Sequence, residues 1–223
     1  MNDATAGEAG KPRIHLLCNA HIDPTWLWEW QDGASVALST FRAAADLVEE
    51  FDGFVFNHNE ALLYQWVEDF EPTLFRRIQR LVNEGRWNIM GGWFLQPDCN
   101  MPSGESFVRQ ALTGRRYFQQ KFGARPRLAL NFDPFGHTRG LPQILSKCGY
   151  EAYLFCRPTP QECPLPGWEF SWIADDDSEV IGIRSRAFYN NRLGKARAKI
   201  ERLIEQHPDA DPLFVLWGVG NHG

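Results

Sequence analysis

Two segments of the chain place metal-binding side-chain types directly after predicted strands. His21 and Asp23 follow an apolar run that ends at Asn19, and Asp133 follows a second run. In extended backbone, residues two apart project to the same side, so His21 and Asp23 are suited to bind one cation together. Imidazole nitrogen and carboxylate oxygen are ligands that zinc accepts. The segments are compatible with a zinc site to which Asp133 contributes a third ligand, although each segment alone is more typical of an ordinary turn.

Three other polar residues also stand in loops that follow predicted strands. Asp98 lies between a glycine pair and the next helix, where the sequence is compatible with a substrate or site role and with a purely structural one. His137 lies four residues after Asp133 and is compatible with metal binding, substrate contact or packing. His222 follows an apolar run and two glycines, although residues near a chain terminus are usually exposed and idle. We treat Asp98, His137 and His222 as candidates for substrate contact.

Three tryptophans fall within five residues, immediately after the His-x-Asp segment. Trp26, Trp28 and Trp30 alternate with other residues, so in extended backbone they would line one face of a loop. The usual place of tryptophan is the core. A flat aromatic ring, however, suits the apolar C–H face of a sugar. We therefore expect Trp26 to form a wall of the site and to contact substrate.

Composition excludes several classes of partner. The 223 residues contain 28 acidic and 23 basic side chains, with a formal net charge of −5 and no run of Lys or Arg to follow a phosphate backbone. We expect no nucleic-acid partner. No apolar stretch reaches the roughly 20 residues that span a bilayer, and the first residues lack a signal-peptide core. We expect a cytoplasmic protein without a membrane partner. The five cysteines form no CxxC pair and are expected to be reduced.

Apolar runs and helically spaced apolar residues alternate along the chain. The predicted strands are 14–19, 54–57, 87–90, 127–131, 152–155 and 213–217, with a hairpin at 169–173 and 179–183. The predicted helices are 34–50, 60–69, 72–83, 102–121, 141–147 and 195–207. This alternation indicates an α/β fold with a mostly parallel sheet or an incomplete (β/α) barrel and flanking helices. Residues 1–12 are predicted to be a disordered tail, and the first strand is expected to be buried on both faces.

Five segments resemble, in order, segments of glycoside hydrolase family 38, the α-mannosidases. The resemblance runs from about residue 14 to residue 223. The matching segments are AHIDPTWLWEW, LLYQW, GRWNIMGGW, PDCNMPSGESFVRQ and NFDPFGHTRGLPQIL. A chance match of all five is very improbable.

The resemblance implies a chemistry for these residues. His21, Asp23 and Asp133 are expected to bind one Zn²⁺ ion, and Asp133 is also expected to be the nucleophile. The implied reaction is hydrolysis of an α-mannoside or a mannose-containing oligosaccharide with retained configuration, through a mannosyl-enzyme ester. A histidine far downstream supplies the fourth ligand in this family. The better-known members have an aspartate in the loop of Asn221 and His222, so the general acid/base of this chain departs from the family pattern.

Family members continue through a helical bundle and large β domains. We therefore expect residues 13–223 to be the N-terminal α/β catalytic domain of an α-mannosidase, truncated at its C-terminal end. Two other functions compete with this interpretation. One is a non-catalytic or vestigial sugar-binding module, and the other is a metal-dependent polysaccharide deacetylase. The deacetylase is disfavoured because neither His21 nor His137 has a histidine four residues away.

Overall fold

The computed structural model describes residues 13–218. The predicted tail, residues 1–12, and His222 lie outside the described residues. Within the described range the chain forms eight strands and six helices. The strands are β1 (Ile14–Asn19), β2 (Phe56–Glu60), β3 (Trp87–Trp93), β4 (Leu128–Asn131), β5 (Ala152–Phe155), β6 (Glu169–Ile173), β7 (Glu179–Arg184) and β8 (Leu213–Trp217). The helices are α1 (Trp30–Glu50), α2 (Ala61–Phe70), α3 (Pro72–Asn83), α4 (Gly104–Phe122), α5 (Leu141–Lys147) and α6 (Ala196–Gln206).

The strands form two four-stranded sheets. The first sheet has the order β3-β2-β1-β8 and the second has the order β4-β5-β7-β6. All hydrogen-bonded neighbours run parallel except β6 and β7, which form the predicted antiparallel hairpin. The predicted α/β class with a mostly parallel sheet is confirmed. Because parallel strands end at the same edge, the loops that follow them lie close together.

The two sheets meet where β3 packs beside β4. No backbone ladder pair is found between these two strands within residues 13–218. A side chain connects them instead, because the buried indole Nε1 of Trp93 donates to the carbonyl oxygen of Leu130 at 3.1 Å. We call this contact line the seam. It places the end of β3 next to the end of β4.

Helix α4 packs closely against β3. A methyl group added at Gly114 would stand 2.3 Å from the carbonyl carbon of Trp93 and 2.4 Å from the carbonyl oxygen of Gly92, so only glycine fits there. Ser103 caps the helix by accepting a hydrogen bond from the Ser106 amide at 3.3 Å. The helix and the loop before it are therefore fixed against the end of β3.

The expectation that β1 is buried on both faces is wrong. Leu16 is 49% exposed, although the strand is paired with β2 on one side and β8 on the other. An apolar groove of about 400 Å³ lies beside this strand, lined in part by Leu47, Phe54 and Trp217. Hydrogen bonds to neighbouring strands satisfy the two edges of a strand, but its faces are buried only where helices cover them. The sequence of the strand does not show whether such helices are present. None of the helices within residues 13–218 is both long and apolar enough to cross a bilayer.

Candidate active site

One cavity of about 390 Å³ collects side chains from the carboxyl ends of four strands. His21 and Asp23 follow β1, Glu60 ends β2, Asp98 follows β3 and Asp133 follows β4. Trp26 also lines this cavity. The structure thus brings together five residues that the sequence predicted, His21, Asp23, Trp26, Asp98 and Asp133, and adds Glu60.

His21 and Asp23 face each other as their spacing predicts. The Nε2 atom of His21 lies 3.3 Å from Oδ1 of Asp23, and the His21 side chain is only 6% exposed. Burial lowers the pKa of His21, but the hydrogen bond to Asp23 and the charges of Glu60, Asp23 and Asp133 outweigh it, so the pKa is raised. The carboxyl groups of Glu60, Asp23 and Asp133 therefore act together on the buried imidazole of His21.

Asp133 has two partners that the sequence did not indicate as site residues. Arg157 places Nη2 at 2.9 Å from Oδ1 of Asp133, and the Tyr189 hydroxyl donates to Oδ2 at 3.4 Å. The Tyr189 ring also packs on His21, with centroids 4.7 Å apart. Burial and the charges of Asp133 and Asp23 raise the pKa of Tyr189 well above its usual value, so its hydroxyl remains a donor.

Arg157 carries the same sequence signal as the predicted residues, because it stands two positions after the end of β5. Tyr189 carries no such signal. It lies in a loop between β7 and α6, and that loop is held by Lys199, whose Nζ donates to the carbonyl oxygens of Phe188, Asn190 and Leu216. Tertiary contact alone places Tyr189 in the site.

Glu60 and Gln96 form a buried connection behind His21. Glu60 is 2% exposed, and burial raises the pKa of its carboxyl to about 7. Its Oε1 accepts a hydrogen bond from the backbone amide of Gln96 at 3.0 Å. The sequence predicted that Glu60 begins a helix, whereas it ends β2, which runs to Glu60 rather than to Asn57. The strand-end signal was present but was assigned to the wrong element.

Asp98 forms a turn at the rim of the cavity. Its Oδ1 accepts from the backbone amides of Asn100 at 2.8 Å and Met101 at 2.9 Å. This is a structural role, and the residue lines the cavity as well. Its predicted substrate contact stays a prediction.

The three neighbouring tryptophans take different positions. Trp26 is 63% exposed at the cavity and meets Trp28 edge to face, with centroids 5.5 Å apart. Trp28 donates from Nε1 to the backbone carbonyl of Asp23 at 3.1 Å and so supports the loop of that residue. Trp30 begins α1, four residues before the predicted start, and packs on Trp66. The expectation of an extended loop with all three rings on one face is therefore wrong, because Trp30 belongs to α1.

The structure places His137 outside the cavity. Its Nε2 lies 2.9 Å from the Tyr153 hydroxyl, and its ring packs against Tyr153, Phe155 and Trp172. Burial lowers the pKa of His137 to about 4, so the ring is neutral near pH 7. Of the roles that the sequence left open, this geometry favours packing.

The cavity residues fit a divalent cation in donor type and burial. The Nε2 atom of His21 and Oδ1 of Asp133 are buried without a well-aligned hydrogen bond, each close to an oppositely charged group. Within residues 13–218, no three His, Cys, Asp or Glu side chains already stand close enough to share one ion. Asp133 faces Arg157 in this arrangement, while His21 and Asp23 already face each other.

Comparisons with known proteins agree with this architecture. The Glycosyl hydrolases family 38 N-terminal domain matches residues 11–218. Alpha-mannosidase 2C1 of Mus musculus is 33% identical over 179 residues, which cover 78% of this chain and 17% of that protein. Alpha-mannosidase G of Dictyostelium discoideum is 31% identical over 170 residues, which cover 76% of this chain and 16% of that protein.

A solved structure shows the same fold. The crystal structure of an alpha-mannosidase from Enterococcus faecalis V583 matches with a TM-score of 0.78 at 21% identity, over 94% of this chain and 25% of that chain. At this identity the likeness concerns the fold alone. The chain spans about a sixth of the length of the two curated relatives it matches, at 17% and 16%.

Proposed function

The chain belongs to glycosyl hydrolase family 38, and from that premise we propose that it carries the nucleophile and metal-binding part of a retaining α-mannosidase site. The observation that carries the proposal is that His21, Asp23 and Asp133, from the ends of two different sheets, line one cavity together with Trp26. The proposed substrate is an α-mannoside, such as a mannose-containing oligosaccharide. The relatives that are named α-mannosidases are longer, so activity is proposed for a full-length protein of this family that contains these residues.

Asp133 is the proposed nucleophile. One carboxylate oxygen attacks the anomeric carbon, an ester bond forms, and the glycosidic bond breaks with its electron pair going to the leaving oxygen. Water then hydrolyses the ester, and the configuration is retained. Arg157 contacts Oδ1 of this carboxylate at 2.9 Å. The Tyr189 hydroxyl restrains the second oxygen.

The proposed cofactor is one Zn²⁺ ion, held by His21, Asp23 and Asp133. When bound, it would supply positive charge that binds sugar hydroxyl groups and favours the ionised carboxylate. The support for this assignment is the buried Nε2 of His21 beside the Asp23 carboxylate, together with the carboxylates that surround them. Trp26 and Asp98, both on the cavity wall, are the proposed sugar contacts.

Covalent capture tests the nucleophile. A slow fluorinated mannosyl donor is incubated with the longest natural polypeptide that contains these 223 residues, and digestion with mass spectrometry locates the sugar. We expect an ester on Asp133, and loss of capture in Asp133→Asn with retention in the exposed control Asp52→Asn. Because Asp133 is also a proposed ligand, the zinc content of each variant is measured alongside. Sugar on another carboxylate, or inverted configuration without an adduct, would remove the proposed role of Asp133.

Metal analysis tests the cofactor. Purified protein is expected to bind one equivalent of zinc, and His21→Ala and Asp23→Ala are expected to lose it. His15→Ala is the matched control, because His15 is exposed on β1. Full zinc retention in both site variants would refute the assignment.

A further inference from the structure

The loop that follows β3 crosses the seam and contacts the end of β4. The carbonyl oxygen of Pro97 accepts a hydrogen bond from Nδ2 of Asn131 at 2.8 Å. The side chain of Gln96 reaches one residue further along the chain, to Phe132, which directly precedes Asp133. These side-chain hydrogen bonds join the two sheets at the end of the seam that lies next to the cavity.

The side-chain amide of Gln96 has two contacts, one with a segment of each sheet. Its Oε1 accepts from the backbone amide of Phe132 at 2.7 Å, and its Nε2 lies 3.2 Å from Nδ1 of His21. A backbone N–H can only donate, so the carbonyl end of the amide faces Phe132 and the amino end faces His21. His21 follows β1 in the first sheet, whereas Phe132 follows β4 in the second. One amide group therefore spans the site between the segments that carry His21 and Asp133.

The backbone of Gln96 is itself held in place. Its amide donates to Oε1 of Glu60, at the end of β2, at 3.0 Å. The preceding amide, that of Leu95, donates to Oε1 of Gln110 at 2.8 Å, and Gln110 lies on α4. Because α4 packs closely on β3 at Gly114, the loop is supported by a strand and by a helix. The side chain therefore reaches Phe132 from a restrained backbone.

The other contacts of Asp133 provide less restraint across the seam. Arg157 follows β5, which belongs to the same sheet as β4, so its contact with Oδ1 holds the carboxylate within that sheet. Tyr189 contacts both sides, but its hydroxyl lies 3.4 Å from Asp133 and its contact with His21 is ring packing. The bond to Phe132 is shorter and acts on the backbone next to Asp133. It therefore limits where the Asp133 carboxylate can lie.

We propose that Gln96 is a positioning residue for Asp133, holding the backbone of Phe132 so that the carboxylate stands at the required distance from His21. This inference rests on the proposed function and adds to it a residue that acts through Phe132. A displacement of about 1 Å at a reacting group can lower a rate about 100-fold. Loss of the Gln96 bond should therefore slow the attack of Asp133 more than it weakens binding of the sugar.

Two substitutions at Gln96 test this role in the polypeptide used for covalent capture. Gln96→Met has a similar length but no acceptor for the Phe132 amide, whereas Gln96→Glu retains a carboxylate oxygen in that place. The rate of labelling of Asp133 at saturating fluorinated donor is expected to fall about 100-fold in Gln96→Met. The donor concentration that gives half of the maximal rate should change less than about threefold. Gln96→Glu is expected to label within about tenfold of the parent rate, because the bond to Phe132 remains.

A second measurement follows the hydrogen bond itself in the metal-free protein. Hydrogen–deuterium exchange of the Phe132 amide, located by mass spectrometry, is expected to be about fivefold faster in Gln96→Met and unchanged in Gln96→Glu. Gln79→Met is the control, because Gln79 donates from its side chain to the carbonyl oxygen of Lys121 at 2.7 Å, away from the cavity. This variant loses a bond of the same kind and is expected to keep the parent's labelling rate and Phe132 exchange.

The outcomes separate this inference from the proposed function. If the parent carries no sugar on Asp133, both are overturned. If the parent is labelled and Gln96→Met is labelled equally fast, Gln96 has no positioning role while the nucleophile assignment stands. An equal loss of rate in Gln96→Glu or in Gln79→Met would also overturn the inference, because the effect would then not depend on the bond to Phe132. If Gln96→Met does not fold, Gln96→Asn takes its place with the same expectations, since it keeps an amide but is one methylene shorter.

Discussion

The guanidinium of Arg157 lies 2.9 Å from Oδ1 of Asp133, and the two residues follow the neighbouring parallel strands β5 and β4. Arg157 is held there by the rings of Phe135 and Phe188, at 5.2 and 4.9 Å from their centroids. A fixed positive charge thus lies at one oxygen of the Asp133 carboxylate.

Arg157→Met is therefore expected to strengthen zinc binding. The substitution removes a like charge from the neighbourhood of the cation and frees Oδ1 of Asp133, with an expected gain of about tenfold, or ~1.4 kcal/mol. Chelator competition measures the change. Arg139→Met is the control, because Arg139 pairs with Asp175 on the surface. Weaker zinc binding in Arg157→Met would mean that Arg157 orients Asp133 for the metal instead of competing with it.

Glu60 is expected to make the stability of the metal-free protein depend on pH. Burial raises the pKa of its carboxyl from 4.5 to about 7, so the folded state holds the proton more tightly than the unfolded state. This contribution is fully present below about pH 4.5 and is lost as the pH rises through about 7. The free energy of unfolding should fall by about 3 kcal/mol across that window on account of this group.

Urea denaturation of the parent and of Glu60→Gln at several pH values measures this contribution of Glu60 to the free energy of unfolding. The difference between the two proteins isolates Glu60 from the other carboxyl groups, and it should favour the variant increasingly as the pH rises. A difference that is independent of pH would show that Glu60 titrates in its ordinary range.

Lys199 is expected to stabilise the loop that carries Tyr189. Lys199 is 7% exposed, and its ammonium donates to the carbonyl oxygens of Phe188 and Leu216 at 2.6 Å and of Asn190 at 3.1 Å. Lys199→Met removes the donor from all three carbonyl groups and should cost about 2 to 4 kcal/mol of unfolding free energy. Lys147→Met, which removes an exposed pair with Asp176, should cost less than about 1 kcal/mol. Equal effects of the two substitutions in urea denaturation would contradict this role.

Alanine substitutions at two glycines should differ strongly in their effect on stability. Alanine at Gly114 would place a methyl group 2.3 Å from backbone of β3, which cannot move aside, so we expect a loss of about 3 kcal/mol or more. Gly140, the N-cap of α5, has no atom within 4 Å of the added methyl group, and its alanine variant should change stability by less than about 0.5 kcal/mol. Thermal unfolding compares the two. A stable Gly114→Ala would mean that α4 can move away from β3.

The sequence predicted that His21, Asp23 and Asp133 lie beyond strand ends, because the strand-end rule is local. His21 and Asp23 come shortly after β1, and Asp133 comes shortly after β4, so each residue stands beyond the carboxyl end of an apolar strand. The two strands belong to different sheets, and the three side chains line one cavity. The family resemblance read from the same segments is confirmed by the match over residues 11–218. The metal-binding and catalytic roles of these residues stay predictions.

The parts that the sequence did not predict depend on tertiary contacts. His137 was a substrate candidate, yet its ring packs among Tyr153, Phe155 and Trp172, which lie on strands distant in sequence. Tyr189 reaches Asp133 across 56 residues of sequence because Lys199 holds its loop. No short-range pattern encodes either arrangement.

The seam between β3 and β4 has a mechanical consequence for the cavity. Asp23 follows a strand of the first sheet, whereas Asp133 follows a strand of the second, so the two carboxylates stand on opposite sides of the seam. Side-chain contacts such as that of Trp93 with Leu130 allow small sliding displacements that a continuous hydrogen-bonded ladder would resist. The width of the cavity is therefore set by the relative position of two sheets, and any molecule that binds both carboxylates also restrains the sheets against each other.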